Sequence, residues 1–233
     1  MRFWSSARRP PKGAFILVKK SFGLIVALAL IAAVVGYYVL ERGAPDRRSE
    51  TAASHADEIF RSPTSAVAGN PNGDVNVVAF FDYNCPYCRK DVPALNKLIT
   101  EDGNVRLVLK ELPVLGPDSV DATRLVLAAR KQGKEYALHQ KLIGTPGRVN
   151  KARALSLAAG LGLDTARLEE DMDDPEISAT ILENMRLGQQ LGVRGVPFYL
   201  VGDRVVQGGG GDFYEALTAA VANIRQNGCL ADC

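Results

Sequence analysis

Apolar positions fall into three rhythms along this chain. The first is unbroken: "SFGLIVALALIAAVVGYYVL", residues 21–40, runs without a charge. At about 1.5 Å per residue, a helix of that length reaches roughly 30 Å, enough to cross a bilayer's hydrocarbon. The second rhythm is short, β-branched and aromatic. "VNVVAFF" (Val75–Phe81) and residues 105–110 read as buried strands, and residues 197–201 and 204–207 read as a hairpin about a Gly-Asp turn. The third is helical. In "RKDVPALNKLITE", Val92, Leu95, Leu98 and Ile99 share a face, with Pro93 predicting a kink. Residues 118–191 repeat helical spacing between glycines, and "DFYEALTAAVANIRQ" predicts a closing helix.

Strand, helix, strand between residues 75 and 110 is the βαβ unit of a parallel sheet. The seventy or so helical residues that follow outrun a simple crossover and predict an inserted helical subdomain at about 118–191. "AGNPNGD" (residues 68–74) is dense in turn formers and marks the entrance to the folded body. The expected organisation is a basic cytoplasmic segment (1–20), a transmembrane anchor (21–40), a linker or short helical stalk (41–66), an α/β domain with its insertion (67–228) and a cysteine-containing tail (229–233).

Charge sharpens this picture. Residues 1–40 hold six basic side chains and no acid, which leaves 22 Lys and Arg against 26 Asp and Glu, a net of −4, for the rest. A mildly acidic body offers no basic face, so nucleic acid is excluded as a partner. Six basic residues precede the apolar run and three soon follow it (Arg42, Arg47, Arg48), so the positive-inside rule keeps the N-terminus cytoplasmic and exports the remainder. A cleaved leader would have a shorter apolar region, about 7–15 residues, ending at a small-x-small site. "ERGAP" is a poor one. The pattern predicts a bacterial single-pass inner-membrane protein with its body in the periplasm, where an even cysteine count means disulfides.

Four cysteines are present: Cys85 and Cys88 in "FFDYNCPYCR", and Cys229 and Cys233 in "NGCLADC". A zinc site needs a second ligand pair at matching spacing, whereas His55 and His139 are isolated. A structural staple gains little from closing so small a loop. Redox chemistry explains the position. At the mouth of a helix, the Cys85 sulfur faces unpaired N–H groups and the positive end of the dipole, which favour thiolate. Pro86 suits the first helical position, and Cys88 returns to the same end one turn later. Cys85 attacks and Cys88 resolves. The tail pair reads as a possible second disulfide, with an electron relay or metal capture as the other readings. His139 beside Tyr136 reads as structural.

These residues, with "LKELPVLG" after the second strand and "GVRGVPFYL" before the hairpin, resemble the DsbA-like branch of the thioredoxin superfamily. They are similar in particular to its periplasmic group that includes suppressors of copper sensitivity. The resemblance covers roughly residues 67–225 and implies a thioredoxin-like fold with a helical insertion. It also implies a cis Val196-Pro197 bond beside the active-site sulfurs, with the backbone before the proline pairing with a substrate strand. Val196, Pro197 and Tyr87 are thereby the expected substrate-binding residues, and Pro86 and Tyr87 tune the active site. Relatives commonly carry a buried acid six residues before the first cysteine. Here that position is Ala79, and Lys110 and Glu111 are the nearest candidates to supply charge, unless they form a solvated pair. Tyr83, Asn84 and Tyr87 are read as an apolar rim for unfolded polypeptide, with scaffold aromatics as the other reading for the tyrosines.

The function expected from all this is a membrane-anchored periplasmic thiol–disulfide oxidoreductase. Its partners are polypeptides with free thiols or disulfides and a membrane redox partner, with self-association through residues 41–62 also open. No cofactor and no metal are implied. The absence of a substantial N-terminal dimerisation domain favours an oxidase over an isomerase or reductase. The rival reading is a thiol-based copper-binding or chaperone module, since soft thiolates suit Cu(I).

Overall fold

The computed structural model describes residues 26–37 and 47–230, which fall in two units, Met1–Asp46 and Arg47–Cys233. In the first unit, residues 26–37 are helical and their large apolar side chains, Leu28, Leu30 and Ile31 among them, are exposed. No helix among the described residues is long and apolar enough to cross a membrane. The remainder of the expected span, residues 21–25 and 38–40, lies outside them.

The second unit is built on a five-stranded sheet in the order β1-β3-β2-β4-β5. Its strands are β1 (Val67–Gly69), β2 (Val75–Phe81), β3 (Val105–Glu111), β4 (Phe198–Val201) and β5 (Arg204–Val206). Only β2 and β3 run parallel; the other pairs are antiparallel. All but one residue of β2 are buried, because helices cover both faces, and a doubly covered strand has no polar side to alternate with.

On one face lie α3 (Pro86–Asp102), α9 (Phe213–Asn227) and the helices between β3 and β4: α4 (Pro117–Ala128), α5 (Glu135–Ile143), α6 (Lys151–Ala159) and α7 (Thr165–Asp171). They share a core with Val77, Ala79, Phe81, Leu107, Leu109 and Tyr199. The opposite face carries α1 (Arg47–Ser54), α2 (Ala56–Phe60) and α8 (Pro175–Gln190). Ala52, Ile59 and Phe60 are buried there against Val78, Phe80, Val108 and Leu200. Residues 47–60, expected as a linker or stalk, are therefore a layer of the fold. Their alanine-rich pattern hid this because the apolar contact is carried by a few positions, Ala52, Ile59 and Phe60 with Ala56 beside them. Pro93 lies inside α3, which continues on both sides of it to Gly103, whose φ of +69° ends the helix.

One further expectation changes. Lys110 and Glu111 are no solvated pair: both are buried, at 0% and 1% exposure. As consecutive β3 residues they project to opposite faces. The Lys110 ammonium donates to the Glu58 backbone oxygen (2.7 Å), and burial lowers its pKa to about 8. Burial, with Glu135 nearby, pushes Glu111 up to about 8, and its carboxyl oxygens have no hydrogen-bond partner among the described residues. At the other end of α9, the Arg225 guanidinium bridges Asp74 (2.8 Å) and Asp102 (2.7 Å), tying that helix to the start of β2 and the end of α3.

Candidate active site

β2 delivers the chain into a turn whose centre is a buried carboxylate. Asp82 is fully buried and accepts from the Asn84 N–H (2.7 Å), the Ser119 hydroxyl (2.7 Å) and the Leu115 N–H (3.0 Å). Its backbone oxygen accepts from the Cys85 N–H (3.1 Å). The Asn84 amide spans to the helical segment, donating to the Val149 oxygen (3.1 Å) and accepting from the Val149 N–H (2.8 Å). This turn clamps Cys85 at the N-cap of α3, with Pro86 at the first helical position, where no N–H is needed.

At the cap, the Cys85 sulfur accepts from the Cys88 backbone N–H (3.4 Å). Both cysteines are free thiols, 3% and 1% exposed. The Cys85 pKa falls from its ordinary 9.0 to about 6, chiefly through the hydrogen bond from the Cys88 thiol and then through the N–H groups of Cys88 and Tyr87. Burial and the Asp82 charge oppose the fall. Cys88 moves the opposite way, its proton held by the bond to Cys85 and by burial. One sulfur is thus readied as a nucleophile while its partner is held protonated.

Val196 and Pro197 join across a cis bond, and the Cys85 thiol lies 3.5 Å from the Val196 carbonyl oxygen. Tyr87, in the first turn of α3 after Cys85, is 60% exposed. Tyr83, by contrast, is fully buried and its hydroxyl pairs with His139 Nδ1 (3.1 Å). It belongs to the scaffold, not to a rim, because its hydroxyl finds that partner inside. His139 stacks on Tyr136 and meets Phe81 edge-on, and burial lowers its pKa to about 3, so it is neutral. The exposed apolar residues at the mouth are instead Tyr87, Val114 and Leu115. No periodicity marks Val114 and Leu115 in the sequence, since they sit in the loop that Asp82 anchors.

Cys229 is disulfide-bonded and packs beside Gly202, at the hairpin end of β4. Gly202 lies five positions beyond Pro197, roughly 16 Å along a strand. Cys229 is therefore not brought to Cys85 and Cys88; Cys233 lies outside the described residues. Ala79 is buried, and beside it lies a cavity of about 20 Å³ that Cys88, Tyr199, Asn96 and His139 also line.

Fold and site together define a thioredoxin-like protein with a dithiol at a helix N-terminus. Residues 76–222 match the DSBA-like thioredoxin domain, and the chain belongs to that family. A thioredoxin-like oxidoreductase from Silicibacter pomeroyi is 45% identical, with a TM-score of 0.70, covering 73% of this chain and 97% of that one. The catalytic domain of Proteus mirabilis ScsC is 25% identical, with a TM-score of 0.67, covering 75% and 98%. The chain is also 32% identical over 159 residues to the Na(+)/H(+) antiporter NhaA 1 of Salinispora arenicola. That alignment takes in 67% of this chain and only 24% of the antiporter.

Proposed function

We propose that this chain is a membrane-anchored periplasmic enzyme that exchanges disulfides with exported polypeptides through Cys85 and Cys88, and that its direction is oxidation. The observation that carries the reading is the asymmetry of the pair: a Cys85 thiolate held by three donors above a Cys88 thiol held protonated. In the donating direction a substrate thiolate attacks Cys85 of the disulfide, and Cys88 leaves. A second substrate thiolate then attacks the mixed disulfide at the substrate sulfur. Cys85 departs as a thiolate, and the substrate gains its disulfide. Stabilising the Cys85 thiolate stabilises the reduced enzyme, which makes the pair the stronger oxidant.

Polypeptide suits the mouth of the site. Tyr87, Val114 and Leu115 present exposed apolar area without a deep pocket, and the Val196 carbonyl sits at the sulfur where an extended backbone can lie. Support for the anchor and the compartment comes from the uncharged run at residues 21–40 and the basic residues before it.

The test is the equilibrium reduction potential of the pair in the full chain carrying Cys229→Ser and Cys233→Ser. A value toward about −120 mV supports a disulfide donor, and one toward about −270 mV reverses the direction to reductase. Resistance of the full chain to alkaline extraction from bacterial membranes checks the anchor; release into the soluble fraction would refute it.

A further inference from the structure

Cys88 must lose its proton before it can attack Cys85, and must regain one after it leaves. Its burial and its bond to Cys85 both hold the proton in place. A base is therefore needed within the protein, and the buried groups around the pair differ in fitness for the task. Asp82 already accepts three hydrogen bonds from Asn84, Ser119 and Leu115, so both its oxygens are engaged in holding the turn before Cys85. Glu111 is neutral through the neutral range and so has no room for a second proton. Lys110 lies on the opposite face of the sheet, bonded to α2. His139 shares the cavity with Cys88 but is too weakly basic.

Asp91 differs from all of these. It sits three residues after Cys88 on α3, hence on the same helix face, and is 1% exposed. The Tyr199 hydroxyl donates to its Oδ2 (3.1 Å), and the Gly209 N–H reaches both oxygens (3.0 and 2.8 Å). Tyr199 in turn lines the cavity that Cys88 lines. At about 20 Å³ that cavity has room for a single water beside the Cys88 and Tyr199 side chains. The loop after β5 is shaped to this pair. A Cβ at Gly208 would collide with Asp91 Oδ2 and with the Tyr199 ring, so only glycine lets the loop close over them. The groups facing Asp91 are Tyr199 from β4, the Gly209 amide, and Lys90 on its own helix, whose ammonium is tied to the Gly209 oxygen (3.2 Å). From α9, Phe213 packs on the Tyr199 ring at 4.6 Å.

We propose that Asp91, acting through the Tyr199 hydroxyl, takes the Cys88 proton when Cys88 attacks and returns it when Cys88 leaves. In the attacking direction the Cys88 S–H proton moves across the cavity to the tyrosine oxygen as the tyrosine proton passes to Asp91. The Cys88 thiolate then attacks Cys85, the Cys85–Cys88 bond forms, and the Cys85–substrate bond breaks. Cys88 is oxidised, and the substrate sulfur leaves with the electron pair as a thiolate. In the reverse direction a substrate thiolate attacks Cys85, Cys88 leaves with the pair, and the proton returns from Asp91. Burial raises the Asp91 pKa, which suits a base better than an ordinary exposed carboxylate.

The inference rests on Cys85 and Cys88 being the exchanging pair, and the test separates the two. The full chain carrying Cys229→Ser and Cys233→Ser is reduced and mixed with an aromatic disulfide that releases a coloured thiol at each step. The first phase reports Cys85 and the second reports attack by Cys88. Asp91→Asn is expected to leave the first phase unchanged and to slow the second by about 100-fold near neutral pH, the usual worth of a positioned base. The deficit should close as pH rises and hydroxide takes over. Tyr199→Phe, which keeps the ring and the fold contacts, should reproduce the loss. A second phase in Asp91→Asn that keeps the wild-type rate, or that falls by one constant factor at every pH, would overturn the relay. So would a Tyr199→Phe enzyme with wild-type kinetics. Absence of the first phase would remove the assignment of Cys85 itself, and the relay with it.

Discussion

Replacing Cys88 by alanine tests how the Cys85 thiolate is held. The thiol comes down from 9.0 to about 6. At about 1.4 kcal/mol per tenfold change, that is roughly 4 kcal/mol of preference for the charged form. The Cys88 thiol is the largest contributor, ahead of the backbone donors of Cys88 and Tyr87. A hydrogen bond to a charged group contributes about 1.5–3 kcal/mol, so its loss should raise the Cys85 pKa to roughly 7 to 8. The backbone N–H groups survive the substitution and keep the value below 9.0. Near pH 7 the thiolate share should then fall from roughly nine-tenths to between a half and a tenth. The assay is an ultraviolet thiolate titration of the reduced variant, with iodoacetamide alkylation rates as a second readout. Cys229→Ser and Cys233→Ser in the same chain leave Cys85 as the thiol read in both. A Cys88→Ala protein that still titrates near 6 would refute the reasoning and assign the whole effect to the helix end.

The same value of about 6 predicts a break in the pair's reduction potential against pH. Below it two protons accompany two electrons, at about 59 mV per pH unit; above it one does, at about 30 mV, and a line unbroken to pH 8 would contradict this. Glu111 has a folded-state pKa raised from 4.5 to about 8, so the folded state keeps a proton that the unfolded state releases. Its contribution to stability is therefore greatest below about 4.5 and is lost as pH climbs to about 8. Glu111→Gln should flatten that decline, by up to about 5 kcal/mol across the window in denaturant melts. Arg225→Ala should lower stability by about 1–2 kcal/mol, since it strands two carboxylates that share one guanidinium. The loss should shrink in high salt, which screens a half-exposed network.

The sequence by itself determined the elements whose neighbours impose one environment along their whole length. β2 was legible in VNVVAFF because helices bury both of its faces, so nearly every position became apolar. Cys85-Pro86 was legible as a helix start because a cap and a first-turn proline are local demands, met within four residues. The family resemblance added Val196-Pro197 and the thioredoxin-like fold, which periodicity does not encode. Tertiary structure alone decided which side chains meet. β1 is only three residues long and leaves no rhythm, so its antiparallel pairing with β3 was invisible. Lys110 and Glu111 read as a polar strand end, yet both faces of that end are covered. For Tyr83 rim and scaffold were both open, and a histidine 56 residues away decides for the scaffold by satisfying its hydroxyl. Asp91 and Tyr199, 108 residues apart, become one pair only when β4 lies against β2 beneath α3. Periodicity records whether a face is covered; the identity of what covers it follows from chain topology, and in this protein the chemistry around the second cysteine depends on that identity.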